Sequence, residues 1–411
     1  MAQIRSFTSY LKKNKDPKAD AAGGVRSSAE PTYLEKIRSH RLVIFYRTLL
    51  GLILLAALIA VSYISWHDKV FTETEVIKTA PLSEAQGASF MAFGENVLQY
   101  SKDGIGCMNA NGDALWNQTW EMQAPIVRIC RNIVAVGDYN GHMIYVAGGN
   151  GSLGTIDTNL PIRDFCVASQ GVVAAVLDDQ DVTWIHLYDA QGNQLGSFKT
   201  TMADSGYPLA VAISPNGQLV GVSFLYAKEG RIKTSIAFYN FGSVGQNAID
   251  NYVSGYDYTG VVAPFISFLN DDAVCAVADD RIMFYGGEQI PTSRAEHLTA
   301  GEEIAGVYTG NGYAALVYHN NTEEGAYRIQ VYRSDGSEAV TLYCDQEFED
   351  ILLLEDRVVI YGADAWQIFD MNGREKYAGA FEEPVRVLAA TGLRNRFLAV
   401  AGKSILTLEL R

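Results

Sequence analysis

The chain has 411 residues, of which 48% are hydrophobic and 11% aromatic, so it can bury a large core and is not an intrinsically disordered protein. Its 38 glycines follow no three-residue period, which excludes collagen, and its 19% of charged residues is low for a coiled coil. The net charge of −15 argues against a nucleic-acid-binding protein, because an acidic surface repels phosphate groups.

The N-terminal segment differs in charge from the rest of the chain. Residues 1–47 contain ten Lys or Arg against four Asp or Glu, a net charge of +6, so the remaining residues carry −21. Residues 1–41 combine scattered Lys and Ser with an Ala-Ala-Gly-Gly stretch at 21–24. This composition predicts a basic, largely disordered cytoplasmic tail.

An uncharged apolar stretch follows the basic tail. Residues 48–65 contain no charge, and 18 helical residues cover about 27 Å, close to the hydrocarbon thickness of a bilayer. We predict a transmembrane helix over residues 42–65 and a short linker over 66–69. The positive flank places the N-terminus in the cytoplasm, so the helix is a single-pass signal anchor and residues 70–411 are extracytoplasmic. A cleaved signal peptide is the alternative, but its basic region would span 47 residues, and no convincing small-x-small cleavage site follows the apolar run.

A short pattern recurs eight times in the rest of the chain: apolar, any residue, apolar, aromatic, polar, then a turn containing Gly. The repeats are spaced about 43 residues apart on average, and the longest spacing, 51 residues, separates Tyr188 from Tyr239. Their fourth positions are Met108, Tyr145, Tyr188, Tyr239, Tyr285, Tyr332, Phe369 and Leu408.

Each repeat predicts a four-stranded unit. A β-rich run and a hairpin tip precede the pattern, another strand lies further upstream, and a fourth strand follows the Gly turn. Five prolines share one position in the repeat, at the start of the upstream strand, where Pro is tolerated: Pro125, Pro161, Pro208, Pro264 and Pro384. Four strands per repeat of this length are typical of a β-propeller blade, so we predict an all-β, eight-bladed propeller. A seven-bladed propeller and two β-sandwiches are the alternatives.

The two ends of the repeat region are incomplete. The last repeat stops at Arg411 without an outer strand, whereas residues 70–79 form an alternating strand without a hairpin partner. We therefore predict that strand 70–79 completes the last blade and closes the ring, which removes exposed sheet edges.

The turns of the repeats resemble those of the quinoprotein-alcohol-dehydrogenase-like propellers, which have PQQ-like repeats. The resemblance rests on YDAQG at 188–192, FDMNG at 369–373, and NANG at 109–112 with Trp116, and it extends over residues 70–411. The layout of basic tail, single helix and propeller is also similar to a family of unknown function, made of membrane-anchored propellers from Gram-positive anaerobes.

The resemblance implies that this protein is a scaffold rather than an enzyme. Enzymes of the superfamily bind pyrroloquinoline quinone with a docking Trp in most blades, adjacent cysteines and a set of Ca²⁺-binding carboxylates. In this chain only Trp116 matches the Trp position, and no two cysteines are adjacent. Non-catalytic members act as scaffolds in envelope protein assembly, and this chain is closer to them. A degenerate quinoprotein-like enzyme or a small-ligand sensor that uses the funnel is the alternative.

No residues are assigned to catalysis, to a cofactor or to a metal. The sequence contains no G-x-S-x-G, H-E-x-x-H or C-x-x-C motif. Its five cysteines are mostly within apolar strands, where a free thiol behaves as a small hydrophobic side chain.

Acidic hairpin tips are the candidate binding feature. In a propeller the tips between the second and third strands gather on one face, and an acidic face attracts a basic partner. We therefore predict a non-enzymatic scaffold that binds an envelope protein or peptide there, while soluble, turn-forming loops are the simpler interpretation. The candidate residues are Asp103, Asp178, Asp179, Asp181, Asp279, Asp280, Glu323, Glu324 and Asp364.

Overall fold

The computed structural model of the protein describes residues 33–67, 69–85, 87–202, 205–228 and 230–411. The chain divides into two compact units, Met1–Lys69 and Val70–Arg411, and each is described by itself. The predicted disordered tail falls mostly on residues 1–32, which lie outside the described residues.

The first unit contains one long helix, α1 (Tyr33–His67). Its stretch Val43–Tyr63 is 21 residues long and apolar, enough to cross a membrane, and its length and composition fit either an anchor or a signal sequence. The helix continues through residues 66 and 67, so the predicted linker 66–69 is shorter than expected. Residues 52–67 contain neither Gly nor Pro, so nothing in them interrupts the helical hydrogen bonds.

The second unit is an eight-bladed β-propeller, as predicted, and is neither seven-bladed nor a pair of sandwiches. Its strands form eight separate four-stranded antiparallel sheets. From the innermost to the outermost strand, blades 1 to 4 are β2 (Ser89–Phe93), β3 (Asn96–Ser101), β4 (Gly104–Met108), β5 (Ala114–Thr119); β6 (Pro125–Cys130), β7 (Ile133–Asp138), β8 (Met143–Gly148), β9 (Gly151–Asp157); β10 (Ile162–Val167), β11 (Val173–Asp179), β12 (Val182–Tyr188), β13 (Gln194–Thr201); and β14 (Tyr207–Ile213), β15 (Leu219–Lys228), β16 (Arg231–Asn240), β17 (Tyr252–Thr259).

Blades 5 to 8 follow the same order, except that the outer strand of blade 8 comes from the start of the unit. They are β18 (Phe265–Phe268), β19 (Ala273–Val277), β20 (Arg281–Gly286), β21 (Thr292–Leu298); β22 (Ile304–Gly310), β23 (Tyr313–Thr322), β24 (Gly325–Arg333), β25 (Glu338–Cys344); β26 (Asp350–Leu353), β27 (Arg357–Tyr361), β28 (Ala365–Asp370), β29 (Glu375–Ala380); and β30 (Val385–Ala390), β31 (Arg396–Ala401), β32 (Ser404–Leu410), β1 (Thr74–Pro81).

Strand β1 pairs antiparallel with β32, from Thr74 opposite Leu410 to Pro81 opposite Ser404. The pairing joins the first and last strands of the ring in one sheet. The strand begins at Thr74 rather than at residue 70. Before it, the Thr72 amide donates to the carbonyl of Arg411 at 2.9 Å, and the Phe71 amide donates to the Lys376 carbonyl of blade 7 at 2.8 Å. The strand continues past residue 79 because the Leu82 amide donates to the Lys403 carbonyl at 2.9 Å.

The Asp-x-x-Gly pattern is a hydrogen-bonded turn between the third and fourth strands. The Asp189 carboxylate accepts the amides of Gln191 and Asn193 at 3.0 and 2.8 Å. Gly192 has a φ of 89°, in the region that favours glycine. The short Asp side chain therefore accepts the hydrogen bonds at the start of the turn, and the glycine adopts the positive φ angle at its end. These two requirements explain why both residue types recur.

The hydrophobic core is divided into layers between neighbouring sheets. Trp366 of blade 7 meets Phe397 of blade 8 edge to face, with 5.1 Å between ring centroids. Both side chains are fully buried. Because each layer needs both of its sheets, a blade cannot bury its apolar faces without its neighbours.

Candidate partner-binding surfaces

The tips between second and third strands share one face of the ring with the connections from each outer strand to the next inner strand. Backbone hydrogen bonds join the two sets of loops. The Trp120 amide donates to the Asp103 carbonyl at 3.0 Å, and the Phe381 amide donates to the Asp364 carbonyl at 2.8 Å. We call these tips and connections together the loop face.

The structure places all nine candidate acidic residues at tips of the loop face, in blades 1, 3, 5, 6 and 7. It does not bring them into a single cluster, because each tip belongs to a different blade of the ring. Seven of them are exposed: Asp103, Asp179, Asp181, Asp279, Glu323, Glu324 and Asp364.

The other two carboxylates are paired with arginines. Asp178 forms an ion pair with Arg163 of the neighbouring inner strand. Asp280 bonds Arg281 at 2.6 Å, and this hydrogen bond lowers the pKa of the Asp280 carboxyl below its usual value. These two side chains therefore hold the tips in place and are less available to a partner.

Two of the exposed carboxylates also accept hydrogen bonds from neighbouring residues. Asp179 accepts the indole N–H of Trp184 at 3.3 Å, and Asp279 accepts the Val262 amide at 3.2 Å. Four exposed cations stand among the described tips, so the loop face is acidic but not uniformly so: Lys102, Lys228, Arg231 and Lys403.

The inner strands line a central channel. One section of about 440 Å³ is bounded by strands β6, β10, β14, β18 and β22. Arg128 and Asp164 form an ion pair of 2.8 Å in its wall. Cys130 and Cys166 also line it, and burial raises the pKa of both thiols. Among the described residues, no three His, Cys, Asp or Glu side chains are grouped so that they could hold a metal ion.

Trp116, the residue that matches the quinone-docking position, lies on the outer strand of blade 1. It packs into the apolar layer between blades 1 and 2, next to Ile105 and Val134. Its indole nitrogen is buried without a hydrogen-bond partner in the described part of the chain.

A groove that the sequence did not indicate lies between blades 3 and 4. It has a volume of about 500 Å³ and is lined by β13, β15, β16, β17 and the loop before β17. Blade 4 has the longest central hairpin, two strands of ten residues each, and two short 3-10 turns between β16 and β17. The long spacing between Tyr188 and Tyr239 was the available signal for the long hairpin, whereas the two 3-10 turns follow Tyr239.

Several solved structures are similar to this chain. BamB from Moraxella catarrhalis is 8% identical with a TM-score of 0.48, and the alignment covers 82% of this chain and 100% of BamB. Sqt1 from Chaetomium thermophilum is 13% identical with a TM-score of 0.49, over 82% of this chain and 99% of Sqt1. The Pan2 WD40 domain from Neurospora crassa is 10% identical with a TM-score of 0.42, over 70% of this chain and 88% of the domain.

No curated protein sequence matches the chain. A family profile matches residues 67–410, which include the whole propeller apart from its final residue, and its description is a family of unknown function, DUF5711. Because that match covers most of the chain, the protein belongs to the DUF5711 family.

Proposed function

We propose that this protein is a membrane-anchored propeller that stands outside the cytoplasm and binds an envelope protein or peptide on its loop face, without catalysing a reaction. The observation that carries the proposal is the loop face itself, where exposed carboxylates from five blades meet the solvent on one side of a closed ring.

The charge of this face favours a basic partner. Seven exposed carboxylates stand against four exposed cations in the described tips. Complementary charge across an interface raises the association rate and excludes acidic competitors. The partner recognised by this chemistry is therefore a protein segment rich in Lys or Arg.

The loop face is also held rigidly. Backbone hydrogen bonds tie the tips to the connections, as between the Thr299 amide and the Asp280 carbonyl at 2.8 Å. Arg163 and Arg281 add ion pairs to two of the tips. A surface that is ordered before binding loses little conformational entropy when a partner docks.

Helix α1 and the charge distribution support the membrane anchor. The apolar stretch Val43–Tyr63 is long enough to span a bilayer. The +6 charge of residues 1–47 favours a cytoplasmic N-terminus, and the acidic propeller then follows on the outer side.

Site-specific photo-cross-linking in native membranes tests the proposal. A photoreactive amino acid is placed at Asp181 or Glu323 on the loop face, and at Asn150 or Asp335 on exposed turns of the opposite face. We expect one discrete cross-linked partner from the two loop-face positions and none from the controls.

A charge-reversal variant completes the experiment. Replacing Glu323 and Glu324 by Lys should sharply reduce the cross-link from position 181, because the attraction for a basic partner falls. The same partner recovered with equal yield from both faces, or a cross-link unaffected by charge reversal, contradicts the proposal.

A further inference from the structure

The groove between blades 3 and 4 has walls of aromatic side chains. Phe198 of β13 stacks on Tyr239 of β16, with 3.8 Å between ring centroids and 17° between the ring planes. Tyr252 of β17 meets Tyr239 edge to face at 5.8 Å. Phe224 and Tyr226 of β15 also line the space. We call this space the interblade groove.

Small residues of blade 4 leave room for the interblade groove. Ser235 pairs with Asp257, and Ala237 pairs with Gly255, so these four positions lie on the same side of adjacent strands. Gly255 leaves room for the tyrosine there, because a Cβ atom at this position would overlap the Tyr252 hydroxyl oxygen unless that side chain moved. The tyrosine ring therefore lies across the glycine and forms part of the wall.

Two carboxylates give this aromatic space a negative potential. Asp250 and Asp257 line it, and within the described residues neither carboxylate has an ion-pair partner. The carboxylates also act on the neighbouring phenols: burial, Tyr252 and Asp250 raise the pKa of Tyr239, while burial and Asp257 raise the pKa of Tyr226.

The backbone at Asp250 is unusual. Asp250 and Asn251 both have positive φ angles, 55° and 61°. Asp and Asn tolerate this conformation better than other side chains, but it still costs free energy. In this conformation the loop before β17 places Asp250 on the lining of the interblade groove.

The geometry points to a binding site for an alkylammonium cation in the interblade groove, with the exposed ring of Tyr252 and the carboxylates of Asp250 and Asp257 beside the cation. The buried, mutually stacked rings of Phe198 and Tyr239 complete the lining. Aromatic faces attract ammonium groups through their quadrupole, and carboxylates add direct electrostatic attraction. A volume of about 500 Å³ suits a small molecule or one long side chain.

The other classes of occupant fit less well. An anion is disfavoured, because two carboxylates outnumber the one cation on the lining, Lys199. A purely apolar group would gain no electrostatic attraction from the two exposed carboxylates. Lys199 is exposed and forms no ion pair among the described residues, so it is not bound to either carboxylate.

Titration of the full-length protein in dodecyl maltoside micelles, which carry no ammonium group, tests this inference. The first probe is choline, and its control is 3,3-dimethyl-1-butanol, a neutral isostere of the same shape. Nα-acetyl-lysine amide is the second probe and represents a lysine side chain of a peptide. Calorimetry measures affinity, and saturation-transfer NMR detects protons held against the rings.

We expect at least one of the two ammonium probes to bind. If choline is the ligand, the neutral isostere should bind at least about tenfold more weakly than choline. Binding of choline alone identifies a small quaternary amine, and binding of the lysine amide alone identifies a peptide side chain. Equal binding of choline and its isostere, or no binding of either ammonium probe at about 10 mM, overturns the inference.

Variants distinguish the contribution of the two groove carboxylates to binding from a general effect of removing a negative charge. Asp250→Asn and Asp257→Asn should each weaken binding at least about fivefold while leaving the melting temperature near that of wild type. Asp271→Asn, an exposed carboxylate of blade 5 away from the groove, should bind like wild type. Unchanged affinity in both groove variants contradicts the site. The test does not depend on the loop-face partner, so the two proposals can fail separately.

Discussion

The aspartate of the signature turn occurs in two different environments. In both Asp189 and Asp370 the carboxylate accepts two backbone amides of the turn, those of Asn372 and Arg374 at 2.9 and 3.0 Å in the second case. Asp370 is also buried and lies 3.2 Å from the Lys376 ammonium, which is buried too. Burial would raise the pKa of Asp370, but the two amides and Lys376 lower it below its usual value.

We predict that Asp370→Asn destabilises the protein by about 3 kcal/mol, because the Lys376 charge is left buried and unpaired. Asp189→Asn is the matched control. It keeps the acceptor at the start of the turn, as Asn109 does naturally in blade 1 at 2.8 and 3.0 Å, and it breaks no buried pair. It should stay within about 0.5 kcal/mol of wild type. Urea unfolding measures the free energy of unfolding of both variants. Equal losses of stability in the two would show that the ion pair adds nothing to it.

A second residue-scale prediction concerns Asp350 in the channel wall. Burial raises the pKa of its carboxyl, so the folded state holds the proton more tightly than the unfolded state. The tighter proton binding stabilises the folded state fully at a pH below the ordinary pKa of an aspartate. This stabilisation is lost as the pH rises through the raised pKa of Asp350. Asp350→Asn should therefore melt at a higher temperature than wild type at pH 7.5, with the difference shrinking towards pH 4.

Thermal melts across that pH range check the Asp350 prediction. Asp364→Asn is the control, because Asp364 is an exposed carboxylate in the same blade and its substitution should leave the pH profile unchanged. An Asp350→Asn protein that melts below wild type at pH 7.5 would mean that the ionised carboxylate stabilises the fold.

At the scale of the strand, β1 is the element on which closure of the ring depends. It is paired with β32 along its length, and Arg411 adds an ion pair to Glu75. Without it, β32 becomes an open sheet edge, which is a template for aggregation. A propeller that starts at Lys69 should be monomeric and melt cooperatively, whereas one that starts at Leu82 should melt far lower or aggregate. Equal melting temperatures would show that β1 is only a linker.

The repeat predicted the blades because its signals are local. A turn that begins with Asp189 and ends with Gly192 needs those residue types wherever it occurs, and Pro125 and Pro161 mark the start of inner strands in the same way. The count of eight followed from these signals, and the overlap of residues 70–79 with β1 followed from the missing outer strand of the last repeat.

The surfaces were less predictable because they depend on distances between repeats. The sequence identified acidic tips but not that Arg163 and Arg281 would engage Asp178 and Asp280. The interblade groove was missed entirely, because Phe198 and Tyr252 come from different blades and only the packing of two sheets brings them together. The pattern of residues in a single sequence does not show which large side chain of one blade faces a gap left by small side chains of the next.

At the scale of the whole molecule, charge and hydrophobicity are separated along the chain. Residues 1–47 carry a net charge of +6, and the remaining residues, which include the propeller, carry −21. Positively charged flanks of membrane-spanning helices tend to be retained in the cytoplasm during insertion, which is the physical basis for the orientation in our proposal. The loop face can meet an envelope partner only if this orientation is correct.

Cysteine labelling of intact cells with a membrane-impermeant maleimide tests this central claim most directly. Asp335→Cys lies on an exposed turn of blade 6, and Ser9→Cys lies in the basic tail. The wild-type protein with its five native cysteines serves as the blank. We predict labelling of position 335 above the blank in intact cells, and of position 9 only after the membrane is permeabilised. Labelling of position 9 but not of position 335 in intact cells would contradict the account.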